Sequence, residues 1–229
     1  MTTPPTTGPA PGAVFDTLDL LALEFDGPVA HLRLNRPAKR NALNDRLIAQ
    51  IGSFFTHLPA DIHVVIISGE GKHFCSGLDL GELSECSVIE GVMHSRSWHA
   101  VMDQIQFGRV PVVAALRGAV IGGGLELASA CDIRVMSPNA QVALPESSVG
   151  IVPGWSGTQR IARLLPEPVI KEMALFGRRL SAERALALGF AAEVSPDPLG
   201  AARAIAAKLG DTSPAATEVA KYMIHAGVG

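Results

Sequence analysis

An α/β fold is predicted by three features of the sequence. Val64–Ser68 and Pro111–Leu116 are continuous apolar runs of the kind that fill buried parallel strands. Helical segments separate them, and beyond Pro153 the apolar positions recur at helical spacing. The composition agrees: 48% hydrophobic residues with only 5% aromatic, and 23 glycines, describe a core of Ala, Val, Leu and Ile with close backbone contacts. At 229 residues the chain can bury such a core as one domain without disulfides or metal.

Taken in order, residues 1–13 are rich in Pro and Thr, lack the basic start and apolar stretch of a signal peptide, and read as a disordered lead-in. Leu18–Phe25 and Val29–Leu34 flank Asp26-Gly27, a hairpin pattern that stops at Pro37. Asn44 or Asp45 can cap a helix reaching about His57, ahead of the Val64–Ser68 strand. Gly69–Gly77 reads as a loop, and Ser87–Phe107 as a helical stretch in a region expected to be mobile. After Pro111–Leu116 come a glycine-rich turn at Gly118–Gly124, a helix at Leu125–Ala130 and a strand at Asp132–Met136. Helices follow near Thr158–Leu164, Glu167–Phe176, Ala182–Leu188, Ala201–Leu209 and Pro214–Ala226.

Charge and cysteine content exclude several function classes. A net charge of -3 carries no electrostatic footprint for nucleic acid, so an anionic ligand must be held locally. Cys75, Cys86 and Cys131 form no CxxC pair and are odd in number, which argues against a disulfide framework or structural zinc and for a reducing cytoplasm. Val110–Gly124 is the longest apolar stretch, and Arg117 with its glycines leaves it short of the ~20 residues of a membrane span.

The chemistry concentrates in two segments. GAVIGGGLEL (Gly118–Leu127) follows a buried strand and opens a helix, where unpaired N–H groups and the helix dipole favour negative charge. It is not a dinucleotide fingerprint, because Leu127 stands where the last glycine of GxGxxG belongs. Such a cluster also fits simple close packing of helix on sheet. Glu126, an acid among Leu125, Leu127 and Ala128, shifts the balance, since a buried carboxylate needs a reason. Glu146 in ALPESSVGIVPG is a second acid in apolar surroundings that would raise its pKa. Each glutamate alone could equally cap a helix or form an ion pair.

Four ordered blocks, LNRPAKRNALN (Leu34–Asn44), HFCSGLDL (His73–Leu80), GAVIGGGLELASACDIRV (Gly118–Val135) and LPESSVGIVPGWSGTQRIARL (Leu144–Leu164), resemble the enoyl-CoA hydratase (crotonase) superfamily over about residues 15–225. The resemblance implies a spiral of ββα units as the core over 14–195, with a helical C-terminal region over 196–229. It implies a thioester carbonyl held by the backbone N–H groups of Leu78 and Gly123, an oxyanion hole. It implies that Glu126 and Glu146 hold one water for addition to an α,β double bond, retention of both acids favouring hydration over isomerisation. Coenzyme A would enter as part of the substrate, with no permanently bound cofactor. Its contacts would be Lys39, Arg40, Ala42, Ser76, Asp79 and Leu80. The assembly would be a homotrimer or a dimer of trimers. Family members continue for some tens of residues past the position of Gly229, so the tail that covers the site and joins the trimer is expected to be shortened.

Other polar residues carry weaker expectations. His94, Trp98, His99 and Met102 could line the acyl pocket, and Trp155 could wall it or simply pack. His94 and His99 are five apart, so they do not share a helix face as a metal pair would, and no metal site is expected. Lys39 and Arg40, considered apart from the resemblance, also fit solvated loop charge. Cys75 and Cys131 lack a base partner in sequence and read as core residues.

Overall fold

A computed structural model of the chain describes residues 14–82, 87–154 and 157–227. Residues 1–13, Cys86 and Trp155 lie outside the described residues. The hairpin forms as the sequence predicts, with β1 (Leu21–Asp26) antiparallel to β2 (Val29–Leu34) and Asp26 opposite Val29. Helix α1 (Asp45–Thr56) begins where Asn44 accepts the Leu47 N–H at 2.9 Å, so Asn44 is the cap. Its Leu47, Ile48, Ile51 and Phe54 share one buried face.

Strand β3 (Val64–Gly69) is followed by α2 (Val88–Gln106), which Ser87 and Glu90 open with a reciprocal capping box. Strands β4 (Val112–Leu116) and β5 (Ala119–Ile121) lead into α3 (Gly123–Ala130). Next come β6 (Ile133–Met136), β7 (Gln141–Ala143) and a 3-10 turn at Glu146–Val149. The rest is α4 (Gly157–Ile161), α5 (Glu167–Phe176), β8 (Leu180–Ser181), α6 (Ala182–Ala187), β9 (Glu193–Val194), α7 (Pro198–Ala207) and α8 (Pro214–Ala226).

The glycine-rich segment differs from expectation. Ala119–Ile121 is a strand rather than part of a continuous turn, bent at both ends by Gly118 and Gly122, and it pairs in parallel with β7. The following helix opens at Gly123, two residues before the expected Leu125. The short strands β7, β8 and β9, of two or three residues, have no alternation for a sequence to display.

The main sheet runs β1-β2-β3-β4-β6-β9, parallel from β2 onward, and the second sheet runs β5-β7-β8. Every residue of β3 and β4 is buried, as a sheet covered on both faces requires. One face joins the main core, which includes Leu47, Ile51, Phe54, Trp98 and Leu125. On the other, Val64, Ile66, Val113 and Val135 lie under Ala202 and Ala206 of α7. Each fully buried Leu, Ile or Val contributes ~1.5–3 kcal/mol.

Helix α8 is anchored by a cation. Lys221 is buried and donates from Nζ to Asp132 Oδ2 (2.7 Å) and to the carbonyls of Val110 (2.8 Å) and Ile105 (2.9 Å), which meets all three of its donors. No helix among the described residues is long and apolar enough to cross a membrane.

Buried His31 makes the fold acid-sensitive. Its Nε2 is 2.8 Å from Ser68 Oγ, and burial, seconded by the positive charges of Arg33 and Arg203, pushes its pKa down to about 4. The unfolded chain takes up a proton at His31 below about pH 6.5, which the folded state does not accept until about pH 4. Stability is therefore fully present above pH 6.5 and falls as pH drops through that window, by ~1.4 kcal/mol per unit of pKa difference. Urea unfolding at pH 7.5 and 4.5 is expected to show this loss, and His31→Gln to show a smaller one. An equal loss in both proteins would assign the acid sensitivity elsewhere.

Candidate active site

Two backbone segments are stitched together at the C-terminal side of the main sheet. Leu43 donates to Gly77 O and accepts from the Asp79 N–H, both at 2.8 Å, which fixes residues 77–79 against the lead into α1. Cys75 is tied to β5 by Cys75 N–H to Ala119 O and Ile121 N–H to Cys75 O, each 3.0 Å. Gly122 N–H donates to Ala143 O at 2.9 Å, holding the start of α3 against β7.

Within this frame the N–H groups of Leu78 and Gly123 donate to no protein atom among the described residues, although their neighbours are engaged. Gly123 opens α3, so its N–H has no intrahelical acceptor. Gly77 brings the two together. Its φ of +91° suits glycine, and a Cβ there would stand 2.7 Å from Ile121 O and 3.4 Å from Gly123 N.

Two carboxyl groups reach the same cavity. Glu126 lies in the first turn of α3, a helix buried throughout, and is 0% exposed. Glu146 opens the 3-10 turn after β7 and is 7% exposed. Gly122 makes room for it, since at φ +52° any Cβ would meet Glu146 Oε1 at 2.8 Å. Glu146 Oε2 has no hydrogen-bond partner among the described residues, and burial raises the pKa of this carboxyl above the usual range.

The cavity has a volume of about 710 Å³. Leu78, Gly123, Glu126 and Glu146 line it. So do Val92, Ser95, Arg96 and His99 of α2, and Val149, Ile151, Val152 and Gly154. Such a cavity, mostly apolar with a few converging polar groups, is built to hold an apolar ligand and to act on one polar centre of it.

Of the other residues singled out from sequence, His94 lines this cavity while its Nε2 meets Asp45 Oδ1 at 2.5 Å. His99 also lines it and donates from Nε2 to Gly154 O at 3.2 Å. Trp98 and Met102 do not line it. Both are buried in the main core, and Trp98 Nε1 donates to Asp45 Oδ1 at 2.7 Å. Ser76 and Leu80 are on the cavity wall, whereas Ala42 is buried and does not line it. Lys39 is exposed in the 3-10 turn Pro37–Lys39 and lines neither this cavity nor a second of about 870 Å³. That second cavity, into which Arg40 contributes with Lys72, Arg117 and Arg179, shares Ser76 and Ile121 with the first.

Sequence reasoning missed the residues that brace this loop. Arg36 donates to Asp79 Oδ2 at 2.9 Å and to Ala42 O at 2.5 Å; burial pushes the Asp79 pKa up, but the Arg36 bond, the Lys39 charge and the Gly81 N–H together hold it below its ordinary value. Asn41, fully buried at φ +56°, accepts the Arg36 N–H and donates to the carbonyls of Glu70 and His73. Arg160 is buried behind the site on Gln106 and Asp103, and burial lowers its pKa against the opposing charges of Asp103 and Glu126. An arginine amid apolar helical spacing was the one trace of it in the sequence.

The family Enoyl-CoA hydratase/isomerase matches residues 24–229. A short-chain-enoyl-CoA hydratase of Clostridium acetobutylicum is 35% identical over 216 residues, covering 92% of this chain and 83% of that protein. A Rhodopseudomonas palustris protein solved as a candidate enoyl-CoA hydratase superposes with TM-score 0.86 at 42% identity, covering 90% of this chain and 80% of that one. A Thermobifida fusca structure in complex with acetoacetyl-CoA superposes with TM-score 0.86 at 31% identity, covering 96% of this chain and 92% of that one. With the family match over nearly its whole length and the crotonase fold, this chain belongs to the enoyl-CoA hydratase/isomerase family.

Proposed function

We propose that the protein hydrates 2-enoyl-CoA thioesters. The observation that carries this reading is the convergence of two buried carboxyls, Glu126 and Glu146, with two unengaged backbone N–H groups, Leu78 and Gly123, on one cavity. The thioester oxygen accepts from both N–H groups, so negative charge developing there as the enolate forms meets preorganised donors, each worth ~3 kcal/mol. Glu126 orients one water and takes its proton as the oxygen bonds to C3. Glu146, whose raised pKa suits it to carry a proton, delivers that proton to C2. The product is the 3-hydroxyacyl thioester, and no resident cofactor takes part.

Coenzyme A in this reading is part of the substrate and passes Ser76 and Leu80 on its way out of the cavity. Arg40 lines the adjoining second cavity together with Ser76, where it can meet the phosphates. Asp79 braces the loop through Arg36. A homotrimer or a pair of trimers is the assembly that accompanies this reading.

The test is hydration of crotonyl-CoA, followed by loss of the enoyl thioester absorbance and identification of the product. Formation of 3-hydroxybutanoyl-CoA is the expected result. A double-bond shift in a 3-enoyl-CoA without any hydration would assign the isomerase reaction in its place.

A further inference from the structure

Among the described residues that line the candidate active-site cavity there is one lysine or arginine, Arg96, and Val92, Val149, Ile151 and Val152 line the same cavity. Arg96 sits on α2 between Val92 and His99 at spacings of four and three, so the three share a helix face. The other polar groups that α2 contributes to this cavity are already engaged. His94 is held by Asp45, while Ser95 Oγ (2.6 Å) and His99 Nε2 (3.2 Å) both donate to Gly154 O. These two bonds tie α2 to Gly154, whose neighbours Ile151 and Val152 line the same cavity. Arg96 makes no ion pair and no hydrogen bond among the described residues.

A guanidinium is a poor lining for a purely aliphatic acyl chain and an apt one for a carboxylate, which it binds through two parallel hydrogen bonds. We propose that the preferred substrates are enoyl-CoA thioesters whose acyl chain ends in a second carboxylate, and that Arg96 is the residue that receives it. This rests on the hydratase reading for the reaction, while recognition of the carboxylate is a separate matter of binding. Arg96 is exposed to solvent, so its contribution is set at the low end of charge-assisted bonds, about tenfold.

The experiment compares kcat/KM on 2-enoyl-CoA esters of five to eight carbons, methyl-ended and carboxylate-ended, for the wild type, Arg96→Leu and Arg96→Lys. Calorimetry with the unreactive saturated pairs, such as pentanoyl-CoA and glutaryl-CoA, runs beside it. The expected result is a preference of about tenfold or more for the carboxylate-ended esters, abolished by Arg96→Leu and partly kept by Arg96→Lys. Equal use of both series by the wild type overturns the proposal. So does a preference that Arg96→Leu leaves intact, or an equal weakening of all esters, which would place Arg96 on the coenzyme. If no ester is hydrated, the hydratase reading fails by itself. The calorimetric difference between glutaryl-CoA and pentanoyl-CoA, and its loss in Arg96→Leu, still decides the carboxylate.

Discussion

Glu146→Gln lowers kcat on crotonyl-CoA by about 10²- to 10⁴-fold, the range for a lost acid or base group, and Glu126→Gln does the same. In energy this is ~3–5.5 kcal/mol of transition-state stabilisation. Glutamine matches the shape of each side chain in a site where both are buried, so the fold and the affinity for saturated butanoyl-CoA are expected to stay near wild type. The two variants differ in their pH profiles. Because burial raises the Glu146 pKa, the wild type loses activity as pH climbs through that pKa and the proton to be delivered is lost. Glu146→Gln removes this alkaline limb, whereas Glu126→Gln retains it on a lower curve. Loss of binding in step with kcat, measured by calorimetry, would break the assignment of both residues to chemistry.

Gly124→Ala is expected to damage stability and rate together. A Cβ at this position would stand 2.6 Å from Cys75 O, 2.8 Å from its Cβ and 3.0 Å from its carbonyl carbon. Two of these atoms are backbone, so relief requires α3 to move away from the 75–78 segment. Overpacking of this kind costs ~1–3 kcal/mol, visible as a lower urea midpoint. The same displacement separates the Leu78 and Gly123 N–H groups, and misplacing one such donor costs ~10²-fold or more in kcat. A variant with wild-type kcat in the folded protein would show that the close approach at Gly124 does not set the spacing of the donors.

How far these features could be read beforehand depended on their range along the chain. Helices α5 and α8 were legible to the residue, because Gly177 ends one at positive φ and Ser213 caps the other. Glu126 was legible because an acid in an apolar run needs no partner to be conspicuous. The Arg36–Asp79 pair was not, since its members are 43 residues apart and each alone is an ordinary surface charge. Trp98 and Met102 were assigned to the acyl pocket because α2 bears apolar residues around much of its girth. Periodicity cannot say which side of such a helix meets a cavity and which the core.

Leu78 and Gly123 meet the cavity through main-chain nitrogen, and many of the ties that hold them in place run between main-chain atoms of Leu43, Cys75, Gly77, Asp79, Ala119, Ile121, Gly122 and Ala143. This pair of donors is thereby insulated from many changes of side chain. If the protein acts on enoyl thioesters as proposed, the lining from α2 and residues 149–154 can change for a different acyl group while the two donors stay where they are. In such a scaffold, new substrates are reached by altering the lining, and the chemistry is inherited unchanged.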